Sequence, residues 1–407
     1  MLSAFKPKKT FVAFTDADGC IFNSMYSMLL MHLIIEHHDF FDQYAKTKEI
    51  YNENKILVDE VLAEITATIE PLIQYYEGGK TSLKNILYEV LTDNLLELLG
   101  PQDDFIIDEN RYKFTAKIKT TYIKYFNNCG ESGKNLLNTI VLAANHAYLQ
   151  KIKTIIEREG YNDFVLMCGS NRQSKGVDEI NNQYNGTTSF FPVLVALKDK
   201  FNELLNSGTS GVQCTLDMFL MADIYGKRRP GHNFKLILER LNDERVQDKH
   251  RLDSYIFDKG KFSLLYAAMH HLCRARPYEK IKFTFWDDCE SIYLPLMRAF
   301  NDNDHFIPKK LTLECWPYKG RILVENQATM NPEEIKNGYI FIKKGTGIVD
   351  QFFEENVRKL GELASYKKKP NCDIDMLKDM DLIEFESWRH PFDVVPMEEV
   401  MSRRFGL

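Results

Sequence analysis

Residues 11–19 read Phe11-Val12-Ala13-Phe14-Thr15-Asp16-Ala17-Asp18-Gly19, and the division of this stretch decides the fold. Four apolar residues end abruptly in an acidic, glycine-containing turn. A short apolar run bounded by a turn reads as a buried strand of a parallel sheet. Further along, the runs Phe164–Cys168, Phe219–Ala222, Phe283–Trp286, Leu311–Cys315 and Tyr339–Ile342 have the same look, and helical stretches such as Phe262–Leu272 separate them. Strand–helix alternation predicts an α/β protein with a parallel, doubly wound sheet. Ligands of such sheets bind at the carboxyl ends of the strands, where the polar residues that follow each run collect.

Between the first run and the second the pattern is different. Val58, Val61, Leu62, Ile65, Ile69 and Leu72 recur at three- and four-residue spacing, as do Leu137, Ile140, Val141, Ala144, Tyr148, Ile152 and Ile155, with Gly160 as a C-terminal stop. Breaks fall at Gly78-Gly79, at Gly100-Pro101 and around residues 127–133. We therefore expect a discontinuous core of residues 1–23 and 151–350, a mostly helical block over 24–150, and a C-terminal helix with a polar tail over 351–407.

The chain has 407 residues, 44% hydrophobic and 27% charged, enough for more than one core and too apolar for disorder. A net charge of −6 gives no basic face, so nucleic acid is not an expected partner. The eight cysteines form no CxxC pair, which argues against a zinc ribbon and for reduced, buried thiols in a cytoplasmic setting. The opening residues MLSAFKPKKTFVAF lack the apolar core of a secretory signal. The longest apolar stretch, Met25–Ile35, is about half a bilayer span and carries His32, so no membrane span is expected.

Three strand ends are chemically loaded. The first carries Asp16 and Asp18, the second ends in Ser170 followed by Asn171 and Arg172, and the third ends in Asp287-Asp288. In a parallel sheet these ends meet in one crevice. Carboxylates so close repel unless a cation sits among them, and a hard, oxygen-loving ion such as Mg²⁺ suits the set.

These motifs resemble those of the haloacid dehalogenase superfamily. DADGCIF (16–22) is similar to its motif I, VLMCGSN (165–171) to motif II and FTFWDD (283–288) to motif IV, in the family's order. The resemblance implies a three-layer α/β/α Rossmann-like core in which residues 24–150 form a large helical cap of the C1 type. It implies an Mg²⁺-dependent phosphatase or phosphotransferase acting on a phosphorylated substrate. Asp16 would be the nucleophile and Asp18 the general acid–base; Ser170 and a lysine would hold the phosphate oxygens. Asp287 and Asp288 would bind the metal together with Asp16 and Asp18. The motif III lysine is expected at the start of the helix before the motif IV strand, where Lys261 is the first choice and Lys259 the runner-up. Asn171, Arg172 and Lys259 are then candidates for substrate contact. Cys20 stands where the family has Thr or Val.

Other features carry blander readings. Gly130-Glu131-Ser132-Gly133-Lys134 has part of a phosphate-loop pattern, but Asn128 and Asn135 occupy its defining positions. His37-His38 and His270-His271 are neighbours on helices, so they cannot clasp one metal in the i, i+4 manner. Lys227, Arg228 and Arg229 form a basic loop able to contact substrate. GSNRQS, MADIYG, LLYAAMHH and the terminal MEEVMSRRFGL resemble effectors that intracellular bacteria inject by type IV secretion. That resemblance implies a host cytosol as the working compartment and a host protein as a partner. The reading from another class is a catalytically silent scaffold that engages such a partner through the helical block.

Overall fold

The computed structural model describes residues 7–17, 19–23, 26, 138–170, 190–206, 211–225, 261–320, 328–329 and 340–367. The strands are β1 (Lys9–Thr15), β2 (Asp163–Cys168), β3 (Cys214–Leu216), β4 (Lys280–Asp287), β5 (Leu311–Pro317), β6 (Ala328–Thr329) and β7 (Ile340–Lys344). The helices are α1 (His146–Glu159), α2 (Phe190–Asn206), α3 (Met221–Tyr225), α4 (Phe262–Ala275), α5 (Glu290–Asp302) and α6 (Phe353–Lys367), with one 3₁₀ turn at Asp304–Phe306. No helix among the described residues is long and apolar enough to cross a membrane.

The strands form one sheet in the order β3-β2-β1-β4-β5-β7-β6. The five from β3 to β5 are parallel, and β7 joins β5 antiparallel. An α/β architecture dominated by parallel strands is thus what the chain adopts, with an antiparallel edge that strand–helix alternation did not foretell. Central β1 is buried on both faces, which accounts for its unbroken apolar run. Its Phe11 meets Phe164 on one face, while Phe14 lies against Phe283 and Phe285 on the other.

The helices divide between the two faces. α1 presents Tyr148, Leu149, Ile152, Ile155 and Ile156, an apolar stripe at helical spacing, and Tyr148 and Phe164 both meet Phe201 of α2. Gly160 ends α1 in the left-handed conformation, its N–H bonded to Ile156 O at 3.1 Å, as its position in the sequence suggests. α4, α5 and α6 pack with Val12, Phe14, Phe283 and Phe285 in the larger core on the opposite face.

One expected strand is displaced. Phe219–Ala222 is not a strand, and the edge is Cys214–Leu216 instead. Asp217 explains the shift: its Oδ1 accepts the Phe219 N–H at 2.9 Å and turns the chain, and Asp223 Oδ2 takes the Leu220 N–H at 3.1 Å as α3 begins. Short acidic side chains that bond the backbone locally compete with a ladder. The expected helical block lies outside the described residues except for Tyr26 and 138–150, as do His37-His38, residues 130–134, residues 227–229 and the tail beyond 367. None of the described cysteines forms a disulfide, and all but Cys289 are buried.

His270 is a packing residue. Asp350 N donates to its Nδ1 at 2.8 Å, so Nε2 carries the proton and donates to Phe306 O at 3.1 Å. Tyr266 Oη and Asn356 Nδ2 donate to the Asp350 carboxylate beside it, at 2.9 and 2.8 Å. Burial pushes the His270 imidazole down to about 4 against the pull of Asp350. A depressed folded value means stability that is present above the unfolded value and is lost as pH falls. Buried Asp287 and half-buried Asp288, whose carboxyls are raised, act in the opposite sense, so a paired comparison is needed. Between pH 7 and 5, urea unfolding of the wild type should lose about 2 kcal/mol more than that of His270→Gln, which bonds without titrating. Parallel pH profiles for the two proteins would refute this.

Candidate metal site

β1 and β4 run side by side with Thr15 opposite Trp286, so the residues that follow, Asp16 and Asp287, emerge together. The Asp16 N–H continues the ladder to Trp286 O at 3.0 Å. Asp16, Asp287 and Asp288 each offer a carboxylate oxygen, and these atoms lie within 4.8 Å of one another. Asp287 is fully buried and Asp16 nearly so, while Asp288 is half-buried.

Lys261 is the counter-charge. Its Nζ lies 3.0 Å from Asp16 Oδ1 and 2.6 Å from Asp287 Oδ2, while Asp287 Oδ1 accepts the Cys289 N–H at 2.8 Å. It stands immediately before α4, with φ at 54°, the one described non-glycine residue of positive φ. That conformation is costly for a side-chain-bearing residue, and its neighbours hold it in place. Burial works against the Lys261 charge, but the Asp16 and Asp287 carboxylates outweigh it and hold the ammonium well above the usual lysine range.

Three carboxylates against one ammonium leave excess negative charge. Burial pushes the Asp287 carboxyl up to about 6, with the Lys261 ammonium opposing the rise and Asp16 adding to it. Burial, Asp287 and Asp16 push Asp288 up to about 7. Groups that resist ionisation this way accept a cation in place of the missing proton. An all-carboxylate donor set fits a hard ion, and each carboxylate oxygen has a lone pair beyond the one it gives Lys261 or Cys289. The cluster therefore has the donors of a metal site.

The loops around the cluster are tightly seated. Gly19 has φ at +68°, and a Cβ there would come within 2.0 Å of Asp288 Oδ2. Gly169 donates its N–H to Thr15 O at 2.8 Å, and a Cβ would meet the Thr15 backbone at 2.8 Å. Ser170, next in the chain and buried, thus stands at the same end of the sheet as Asp16. The structure brings Asp16, Lys261, Asp287 and Asp288 together and sets Ser170 at the same edge. Asp18, Asn171, Arg172 and Lys259 lie outside the described residues. His271, paired with Asp217 at 3.3 Å and stacked on Phe219, belongs to the packing of α4.

Sequence reading missed the residues that brace this site. Thr15 Oγ1 pairs with Tyr148 Oη at 2.6 Å one residue before Asp16, and Asn23, Asn145 and Tyr318 form a buried hydrogen-bonded group behind the turn. The available signal was Asn145 itself, a short amide in the apolar helical run LAANHAYL.

No protein-family model, curated protein or solved structure matches the chain. The chemistry of the site is thus argued from its own groups.

A divalent cation should stabilise the fold through this cluster. With Mg²⁺ at a hundredfold its Kd the gain is about 2.7 kcal/mol. It should vanish in Asp287→Asn. Protons on Asp287 and Asp288 compete with the ion, so binding should tighten as pH rises from 5.5 to 7.5. A pH-independent Mg²⁺ effect, or one that survives in Asp287→Asn, would remove the cluster as the site.

Proposed function

We propose that this protein is a magnesium-dependent phosphate-ester hydrolase of the haloacid dehalogenase type, working through an aspartyl-phosphate on Asp16. The observation that carries this reading is the single ammonium of Lys261 bridging Asp16 and Asp287 at 3.0 and 2.6 Å, with Asp288 beside them. A nucleophilic carboxylate, a buried cation and an acidic pair meet at the carboxyl ends of two central parallel strands. The strand order, with β1 at the centre and β4 beside it, agrees with the core that the three motifs imply.

Each group then has a task. Asp16 attacks the phosphorus in line, its carboxylate oriented by Lys261 3.0 Å away. The same ammonium, with Ser170, donates to the equatorial oxygens on which charge gathers. Asp18, the general acid–base in the motif resemblance, protonates the leaving oxygen and then activates water to cleave the acyl phosphate. Asp16, Asp287 and Asp288 would hold Mg²⁺. Once bound, the ion supplies charge neutralisation between carboxylates and phosphate. In the motif resemblance the cap segment 24–150, of which Asn145 and Tyr148 instead brace the site from behind, selects the phosphorylated substrate and shuts out water.

Hydrolysis of p-nitrophenyl phosphate, with Mg²⁺ and with EDTA, tests this. Wild-type turnover should require Mg²⁺, and Asp16→Asn should lower it by about 10³-fold or more. Turnover by Asp16→Asn at the wild-type rate would overturn the covalent route. A folded wild type that neither binds Mg²⁺ nor hydrolyses the ester would overturn the enzyme reading and favour the silent scaffold.

A further inference from the structure

The turn that follows Asp16 is held from behind by a buried polar clasp. Asn145 sits at the N-cap of α1, yet its side chain makes no capping bond there. It is spent elsewhere: Nδ2 donates to Ile21 O and to Val141 O, each at 2.8 Å. Its Oδ1 accepts the Tyr318 hydroxyl at 2.9 Å and Asn23 Nδ2 at 3.2 Å. Asn23, 122 residues away in sequence, also directs Nδ2 to Cys20 O at 3.0 Å, while its Oδ1 accepts the Tyr26 N–H at 2.9 Å. Gly320, with φ at +80°, presses on this amide so closely that a Cβ would stand 2.6 Å from Asn23 Cγ.

Tyr318 ties the clasp to the acidic pair. Its backbone N–H donates to Asp287 O at 3.0 Å, and its hydroxyl reaches Asn145. Its ring lies 5.4 Å from that of Tyr148, which bonds Thr15. The turn is therefore gripped at Thr15 on one side of Asp16 and at the carbonyls of Cys20 and Ile21 on the other, with Phe22 N–H closing onto Ala17 O at 2.8 Å. Thr15, Asn23, Asn145, Tyr148 and Tyr318 are all buried. Amides withdrawn so completely from water persist only when their bonds are fully made, and such networks fix one geometry.

We infer that Asn145 and Tyr318 are positioning residues that set the turn 17–22, in which Asp18 stands in sequence, against Asp287. This rests on the proposed phosphoryl-transfer reading, in which the acid–base group at the leaving oxygen belongs to this turn in sequence. A displaced general acid costs most where the leaving group is a poor one. A loss of folded protein costs every substrate equally.

The test uses the full chain with two substrates, p-nitrophenyl phosphate and ethyl phosphate. Tyr318→Phe deletes one hydroxyl and keeps the ring, Asn145→Ala deletes the hub, and Tyr161→Phe deletes a hydroxyl at the opposite end of the sheet, where it bonds Glu159 at 2.7 Å. We expect Tyr318→Phe to lower kcat on ethyl phosphate by about 10-fold or more and on the aryl ester by less than about 3-fold. KM and Mg²⁺-induced stabilisation should be unchanged, and Tyr161→Phe should match wild type on both esters. Should Asn145→Ala fail to fold, Tyr318→Phe carries the test. Equal losses on the two esters, or none, would overturn the positioning role while leaving the proposed function standing. A folded wild type that neither binds Mg²⁺ nor hydrolyses either ester overturns the proposed function, and the inference with it.

Discussion

The structure is organised around an electrostatic debt at one end of two neighbouring strands. Parallel pairing of β1 with β4 forces Asp16 and Asp287 to emerge side by side, and Asp288 follows directly. Like charges at that separation repel strongly in a buried setting. One lysine offsets part of the repulsion, and its place at the head of α4 explains why the chain accepts a left-handed residue there. Burial above all, with Asp16 adding to it, raises the carboxyls of Asp287 and Asp288. A site in this condition is biased toward capturing positive charge.

The remainder of the fold keeps that arrangement from relaxing. Behind β4, Trp286 stacks on Trp316 at 4.9 Å and meets Tyr148 edge-on at 5.0 Å, leaving the strand end no room to withdraw. Lower on the same face, Lys282 is bound by Glu159 at 2.8 Å and Glu314 at 2.9 Å, tying α1 and β5 to β4. At the amino-terminal edge Arg276 bridges Asp163 and Glu279, and Glu279 accepts from Thr10, so β1, β2 and β4 are pinned at both ends. These pairs are buried enough to specify alignment, whatever their net contribution to stability.

Much of this was legible in the residues. The long buried strands announced themselves through unbroken apolar runs, and the acids after them fell where a parallel sheet puts its crevice. Lys261 was readable as the head of a helix because the apolar pattern of α4 begins just after it. Three features escaped. β3 has only three residues, Cys214–Leu216, too few to show a pattern beside the more apolar Phe219–Ala222. The direction of β7 depends on its partner β5, which local sequence does not encode. Asn23, Asn145 and Tyr318 work through contacts between residues up to 173 positions apart, and alone each reads as an ordinary polar residue.

The placement of β1 has a consequence for how the chain comes to be folded. It leads the other strands off the ribosome yet lies at the middle of the sheet. Thr10 pairs with Asp163, 153 positions later, and Lys9 with Lys280, 271 positions later. At 5–20 residues per second the second neighbour arrives roughly ten seconds to a minute after β1 is made. Throughout that interval an apolar strand destined for the core has at least one open edge, and two until β2 emerges, the situation in which holding chaperones are most useful and mispairing most costly. With so many non-local pairings, spontaneous refolding belongs to the slow class, milliseconds to seconds or longer. The strand that delivers Asp16 is also the one whose completion the whole sheet must await.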